Sequence, residues 1–243
     1  MIGRSAFLQG LPRLAIEGRE ALSQFGWLSR VPEDFRTAIL DETVFREARP
    51  DTALTRIGDE RGDLVCIARG SAEIQFTTPH PEACAIHLVH AGFWSGCEPL
   101  LGKRRYTSMR ASTAVLWGIV PQPRLERLLH EQPQWWRHIA SLIVDLNSLL
   151  TMCFADLTLQ STEVRAIALL LRLGDCRHSD PPTGGRTEIQ ISQDILSAMS
   201  AMSRNTFNTI MGRLAERDLI AIGYRRIHIK NPAALRAIVQ ADC

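Results

Sequence analysis

From Gln134 to Leu159 apolar residues recur with a helical period. Trp135, Ile139, Leu142, Leu146, Leu149 and Cys153 follow one another in steps of four and three, a heptad-type seam on one long helix. A second line, Trp136, Ile143, Leu150 and Leu157, runs beside it at intervals of seven. The combined stripe is wider than one partner needs. Two accounts fit it. One edge packs on the rest of the chain and the other on a second copy of the helix, or the helix is buried whole in the core of a monomer. The width favours the first, and the four-three line Trp135, Ile139, Leu142, Leu146, Leu149 and Cys153 is taken as the dimer interface.

Before this helix the texture differs. The segment Pro32 to Leu40 predicts a helix with proline at its start. From about Thr43 to Pro121, "DLVCIARGSAEIQF", "CAIHLVHAGFW" and "TSMRASTAVLWGIV" predict short strands separated by glycine turns, as in an antiparallel barrel or roll. "RLERLLHEQP" predicts a short helix ending near Pro133.

After the long helix, "STEVRAIALLLRLGD" predicts a helix capped by Ser161 or Thr162 and ended near Gly174. "CRHSDPPTGGRTE" predicts a loop. In "ISQDILSAMSAMSRNTFNTIMGRLAERDLI" Ser192 caps one short helix and Ser203 the next. Ile195, Leu196 and Met199 form the inward face of the first, and Phe207, Ile210, Met211 and Leu214 that of the second. Arg204, Asn205, Asn208 and Thr209 open the second helix, with Asn205, Asn208 and Thr209 on the opposite side. Two short helices with a tight turn, the second polar at its start, is the geometry that reads base edges in the major groove. "LIAIGYRRIHIKNP" then predicts a hairpin, or wing, with Arg225 and Arg226 at its tip. The candidate DNA-binding set is Ser192, Gln193, Ser203, Arg204, Asn205, Asn208, Thr209, Arg213, Arg225 and Arg226.

Composition changes this picture little. The chain has 243 residues and 45% hydrophobic content, enough for a substantial core. A formal net charge of +2 says nothing of nucleic acid by itself. Locally, however, seven Lys or Arg against four Asp or Glu lie between Arg186 and Lys230, an excess of the kind phosphate contacts need. Six scattered cysteines form no C-x-x-C pair, so no compact metal motif is expected, and free thiols of a reducing cytoplasm account for them. The N-terminus has no long apolar h-region, and no uninterrupted run approaches the roughly 18 apolar residues of a membrane span. A cytoplasmic protein without membrane contact is expected. No nucleophile–base pairing, H-E-x-x-H, G-x-S-x-G or P-loop is present. Glu98, His130 and Cys176 form no argued constellation, so no enzyme is expected.

With these residues in hand, the sequence resembles the cAMP receptor protein / fumarate-nitrate regulator (CRP/FNR) family of bacterial transcription regulators, from about residue 40 onward. "RIGDERGDLVCIARGSAEI" resembles that family's β-roll strands and "RRYTSMRAST" its phosphate-gripping segment. The long helix and "ISQDILSAMSAMSRNTF" carry the more specific match. The resemblance implies an α+β chain in three parts. These are a cyclic-nucleotide-binding-like β-roll with N-terminal helices (1–133), a dimerisation helix (134–160) and a winged helix-turn-helix (161–243). It implies a homodimer on near-palindromic double-stranded DNA, with RNA polymerase as a further partner.

The chain departs from the cyclic-nucleotide cassette of that family. The first part reads "SGCEP", with Cys97 between Gly96 and Glu98. Arg105 falls on the phosphate arginine, but Tyr106 stands where a small hydroxyl residue is expected, filling volume the phosphate would occupy. Thr151 falls on the polar position of the long helix that touches the base. Gly96, Glu98, Arg105, Tyr106 and Thr151 are thus the candidate effector pocket, with an effector other than cAMP or none, and no cofactor is evident. His80, His87 and His90 lie among the strands, where lone histidines are more often surface or core residues than haem ligands. The alternative to a regulator is a ligand-binding or dimerisation module of this fold that has lost sequence-specific DNA binding.

Overall fold

The computed structural model describes residues 12–60, 62–77, 83–177 and 187–241. The chain divides into two compact units. One holds residues 1–76 and 89–147, and the other holds 77–88 and 148–243.

The first unit begins with helices α1 (Arg13–Gln24) and α2 (Glu33–Asp41), joined through a 3-10 turn at Trp27–Arg30. Strands β1 (Val44–Ala48), β2 (Ala53–Thr55), β3 (Leu64–Arg69), β4 (Ser71–Thr77), β5 (Ala83–His90), β6 (Trp94–Ser95), β7 (Ser108–Ala111) and β8 (Val115–Val120) follow, then α3 (Gln122–Glu131). One sheet runs β1-β8-β3-β6. The other runs β2-β7-β4-β5, and β5 crosses the division of the chain, its last two residues lying in this unit. The glycine turn at Gly70 is a corner between sheets: β3 pairs with β6 and β8, while β4 pairs with β7. It has φ +82°, and a Cβ there would lie 2.3 Å from the Ala114 carbonyl oxygen, so only glycine fits. "TSMRASTAVLWGIV" likewise divides into β7 and β8, in different sheets. Strands β1 and β2 lie outside the three stretches read as strands.

Helix α4 (Trp136–Thr158) is continuous over 23 residues, close to the span expected. Together with the preceding 3-10 turn it is long and apolar enough to cross a membrane by length and composition.

Those two lines have different fates, and this corrects the assigned seam. Ile139 and Leu142 are 1% and 2% exposed, inside a cluster with Leu22, Trp27, Phe35, Ile39, Leu116 and Leu125. Trp135 stacks edge-on against Phe35 at 5.4 Å, and Leu146 packs on the same cluster. The Trp27 indole N–H donates to Ser141 Oγ and to the His138 carbonyl, both at 3.0 Å. The four-three line from Trp135 to Leu146 is therefore spent on the unit's own core. The second line stays outside: Ile143, Leu150 and Leu157 are exposed, with Val144 and Phe154 beside them at 62% and 70%.

The second unit contains α5 (Thr162–Leu173), β9 (Glu188–Gln190), α6 (Gln193–Met199), α7 (Arg204–Glu216), β10 (Ile220–Gly223), β11 (Arg226–Ile229) and α8 (Pro232–Ala241). The small sheet runs β10-β11-β9. Helix α5 is buried on nearly every side and forms the centre of the core with Leu196, Phe207, Ile210, Met211, Leu214, Ile227 and Leu235.

Candidate nucleic-acid interface

Local signals place the site. Ser192 Oγ accepts from the Ile195 N–H at 3.4 Å and starts α6. Ser203 Oγ accepts from the Thr206 N–H at 3.1 Å and starts α7, each satisfying an orphan donor of a first turn. Between them Ala201 takes φ +51°, the left-handed residue that makes the turn tight. Phe207, Ile210, Met211 and Leu214 are at most 1% exposed. That burial holds α7 in one rotation and leaves its other side to solvent.

On that side Asn205 and Thr209 are exposed and Asn208 is half-buried. The Asn208 Oδ1 is buried with no hydrogen-bond partner, and Thr209 Oγ1 donates back to the Asn205 carbonyl at 2.9 Å. Arg204 is exposed and ion-paired through Nε to Asp194 Oδ1 at 3.0 Å. Ser192 and Gln193 are half-buried at the start of α6. Arg213, expected in the DNA-binding set, is largely exposed and lies 3.4 Å from Glu163 Oε2, and Arg217 takes the other oxygen at 3.0 Å. The α5 acid sets that pairing, which no spacing within α7 reveals. Hairpin β10–β11 pairs Ile220 to Ile229 and Gly223 to Arg226. Its tip is Tyr224, 90% exposed, and Arg225 at φ +52°. Sequence reasoning passed over Tyr224, although its place between Gly223 and Arg225 marked it as a tip residue. Arg186 lies outside the described residues.

Of the candidate effector residues, Gly96 and Glu98 lie beside Arg105. Gly96 has φ +108°, and a Cβ there would lie 2.5 Å from the Asp63 carbonyl oxygen and 2.7 Å from Arg105 Nη1. Arg105 is 6% exposed and donates through Nη2 to the Asp63 carbonyl. Burial pulls its guanidinium below the ordinary arginine range, against the opposing charges of Glu98, Asp59 and Asp63. Tyr106 turns outward and is 58% exposed, so it does not fill the space beside Arg105. A cavity of about 460 Å³ is lined by Thr55, Asp59, Glu60, Asp63, Arg105 and Trp117, among others. Its three carboxylates outnumber its one guanidinium. Glu98 Oε2 is buried with no hydrogen-bond partner. Thr151 belongs to the other unit and is exposed. Among the described residues Cys66, Cys97 and Cys153 are free thiols, and burial pushes the Cys97 thiol up to about 12. Of the three histidines, His87 is buried against Arg172, His90 Nε2 is buried without a partner, and His80 lies outside the described residues.

A buried three-helix core carrying a polar-faced second helix and a basic-tipped hairpin defines a winged helix-turn-helix. Residues 164–238 match the family model of the Crp-like helix-turn-helix domain. The chain is 27% identical over 193 residues to the transcriptional regulator LdrP of Thermus thermophilus, covering 78% of this chain and 93% of that protein. Among solved structures it is similar to TTHB099, a CRP-family transcriptional regulator, also of Thermus thermophilus. The TM-score is 0.64 at 18% identity, over 80% of this chain and 96% of that one. It is also similar to the c-di-GMP-responsive global regulator CLP of Xanthomonas campestris, with TM-score 0.62 at 19% identity over 82% and 99%. Residues 164–238 thus form a Crp-like helix-turn-helix domain, and the fold of the chain is that of CRP/FNR-type transcription regulators.

Proposed function

We propose that the chain works in the cytoplasm as a homodimer that binds near-palindromic double-stranded DNA, with RNA polymerase as the family's implied partner. The observation that carries the reading is the first half of α7. Four apolar side chains are fully buried on one side, while Asn205, Asn208 and Thr209 lie on the other. Asparagine suits bidentate contact with adenine, and Asn205 and Thr209 are exposed at the start of the helix with Asn208 half-buried beside them.

Dimerisation is assigned to the outward line of α4. Ile143, Asn147, Leu150, Phe154 and Leu157 repeat in steps of four and three, the spacing of a two-stranded seam. In a parallel pair each residue meets its own copy, and a polar Asn147 among apolar neighbours is the kind of residue that fixes register.

The effector is one other than cAMP, or there is none. Support comes from the acidic lining of the cavity beside Arg105, which repels a phosphate, and from the engagement of Arg105 by the Asp63 carbonyl. The blocking role first assigned to Tyr106 is replaced by these two features.

The test is selection of duplexes from a randomised library, followed by titration of variants at two salt concentrations. Asn208→Ala should relax preference at particular base pairs by about 1–3 kcal/mol. Arg225→Ala should weaken all duplexes alike and lower the salt slope by about one unit. A chain that enriches no duplex is a module of this fold that has lost sequence-specific binding, and the proposal fails.

A further inference from the structure

Within the second unit one ionic cluster is almost completely shut from water. Arg172 of α5 and Asp156 of α4 are 4% and 3% exposed at their side chains, with Arg172 Nε 2.8 Å from Asp156 Oδ2. Arg172 Nη1 lies 2.8 Å from Nδ1 of His87 on β5. Arg177, just past α5, has Nη2 3.1 Å from Asp156 Oδ1, an ion pair without hydrogen-bond geometry, since that oxygen has no donor. Cys153, one turn before Asp156, also faces Arg172.

The chemistry of the contact is directional. A guanidinium has only donors, so His87 Nδ1 must offer a lone pair, and the ring is the neutral tautomer with its proton on Nε2. Protonation of His87 would set two cations against each other in a buried place. Removing one partner of such a set strands a charge away from water, whereas the complete set is tolerated. The cluster is therefore either wholly made or opened to solvent.

Its position gives it a use. His87 stands 85 residues before Arg172 in the chain, and one guanidinium joins β5, the end of α4 and the first helix of the winged-helix segment. Helix α5 in turn bears directly on the reading helix: its Glu163 holds Arg213 and Arg217 of α7, and its core side chains pack on Phe207 and Met211. We propose that Arg172 is a positioning residue for DNA binding, a latch that ties β5 and the end of α4 to α5 and so sets the pose of α7. The use for DNA rests on the function proposed above; the latch itself does not.

The sign of its acid response follows from the geometry. Burial first, and then the charge of Arg172, hold His87 down at about 3 from 6.5. A group depressed in the folded state contributes stability that is complete above its unfolded value and is lost as pH falls toward the folded one. Arg172 from α5 faces the ring, and the charged and titratable groups around it are Asp156 and Cys153 from α4 and Arg177 beyond α5. Opening the latch lets His87 take a proton, so going from pH 7.5 to 5 should raise the open fraction about 30-fold.

The experiment uses the full chain and its variants His87→Gln and His87→Leu. Glutamine keeps an acceptor for Arg172 but cannot be protonated; leucine removes the acceptor. Hydrogen exchange, corrected for the intrinsic effect of pH, is followed in peptides covering 83–90 and 162–173. DNA affinity is read in parallel on the duplex selected with the wild type. At pH 7.5 His87→Gln should match the wild type. His87→Leu should exchange at least tenfold faster in both segments and bind DNA at least tenfold more weakly. At pH 5 the wild type should quicken in both segments and His87→Gln in neither. Faster exchange of His87→Leu in 83–90 alone, or an equal acid response in His87→Gln, overturns the latch whatever DNA does. Coupled exchange in a chain that binds no duplex supports the latch and overturns the DNA-binding reading instead.

Discussion

Truncating Phe154 to alanine should dissociate the dimer while leaving each protomer folded. Phe154 is 70% exposed on the outward line of α4, so nothing in its own chain depends on most of its surface. An aromatic side chain offers roughly 150–250 Å², and seven-tenths of that is about 100–175 Å² available to a partner. At about 25 cal/mol per Å² that surface is worth about 2.5–4 kcal/mol when covered. Alanine keeps the Cβ, so the loss is about 2–3 kcal/mol per protomer. The twofold doubles it to about 4–6 kcal/mol, or about 10³–10⁴ in the dimer dissociation constant. Sedimentation velocity over a concentration series reads this directly, and circular dichroism checks the protomer's helix content. Leu149→Ala is the control, because Leu149 is half-buried on the line first taken as the seam; it should shift the constant less than tenfold. A Phe154→Ala dimer as tight as the wild type, or a Leu149→Ala dimer that falls apart first, would refute the outward-line assignment.

Two further substitutions probe local strain and capping. Ser203→Ala removes the acceptor for the Thr206 N–H and should cost about 1 kcal/mol, which lowers the melting temperature by about 2–4 °C in a chain of this size. DNA affinity should fall with it, as the first turn of α7 frays. Gly96→Ala places a Cβ against the Asp63 carbonyl and Arg105 at a left-handed backbone position. It should destabilise by about 1–3 kcal/mol in thermal melts, and unchanged stability would mean that the approach of Asp63 to Gly96 is not as close as the structure has it.

Several features were legible from the order of residues alone. The caps Ser161, Ser192 and Ser203, the inward face of α7 and the extent of α4 depend on neighbours within about four positions, so spacing and side-chain type decide them. Both apolar lines of α4 were visible for the same reason. Which line turns outward was not, because both satisfy the same period, and only the packing of α1, α2 and α3 against Ile139 and Leu142 chose between them. The strands around Gly70 and Ser112 were recognisable as strands, yet their assignment to different sheets depends on which distant strand donates to each. Tyr106 looked like a plug by its place beside Arg105, and the fold of the loop turned it to solvent. The pairing of Arg213 was set by Glu163, 50 residues earlier, and the contact of Arg172 with His87 spans 85. A charged side chain seeks whatever opposite charge or lone pair burial leaves within reach, and burial is a property of the whole folded chain, not of any stretch of it.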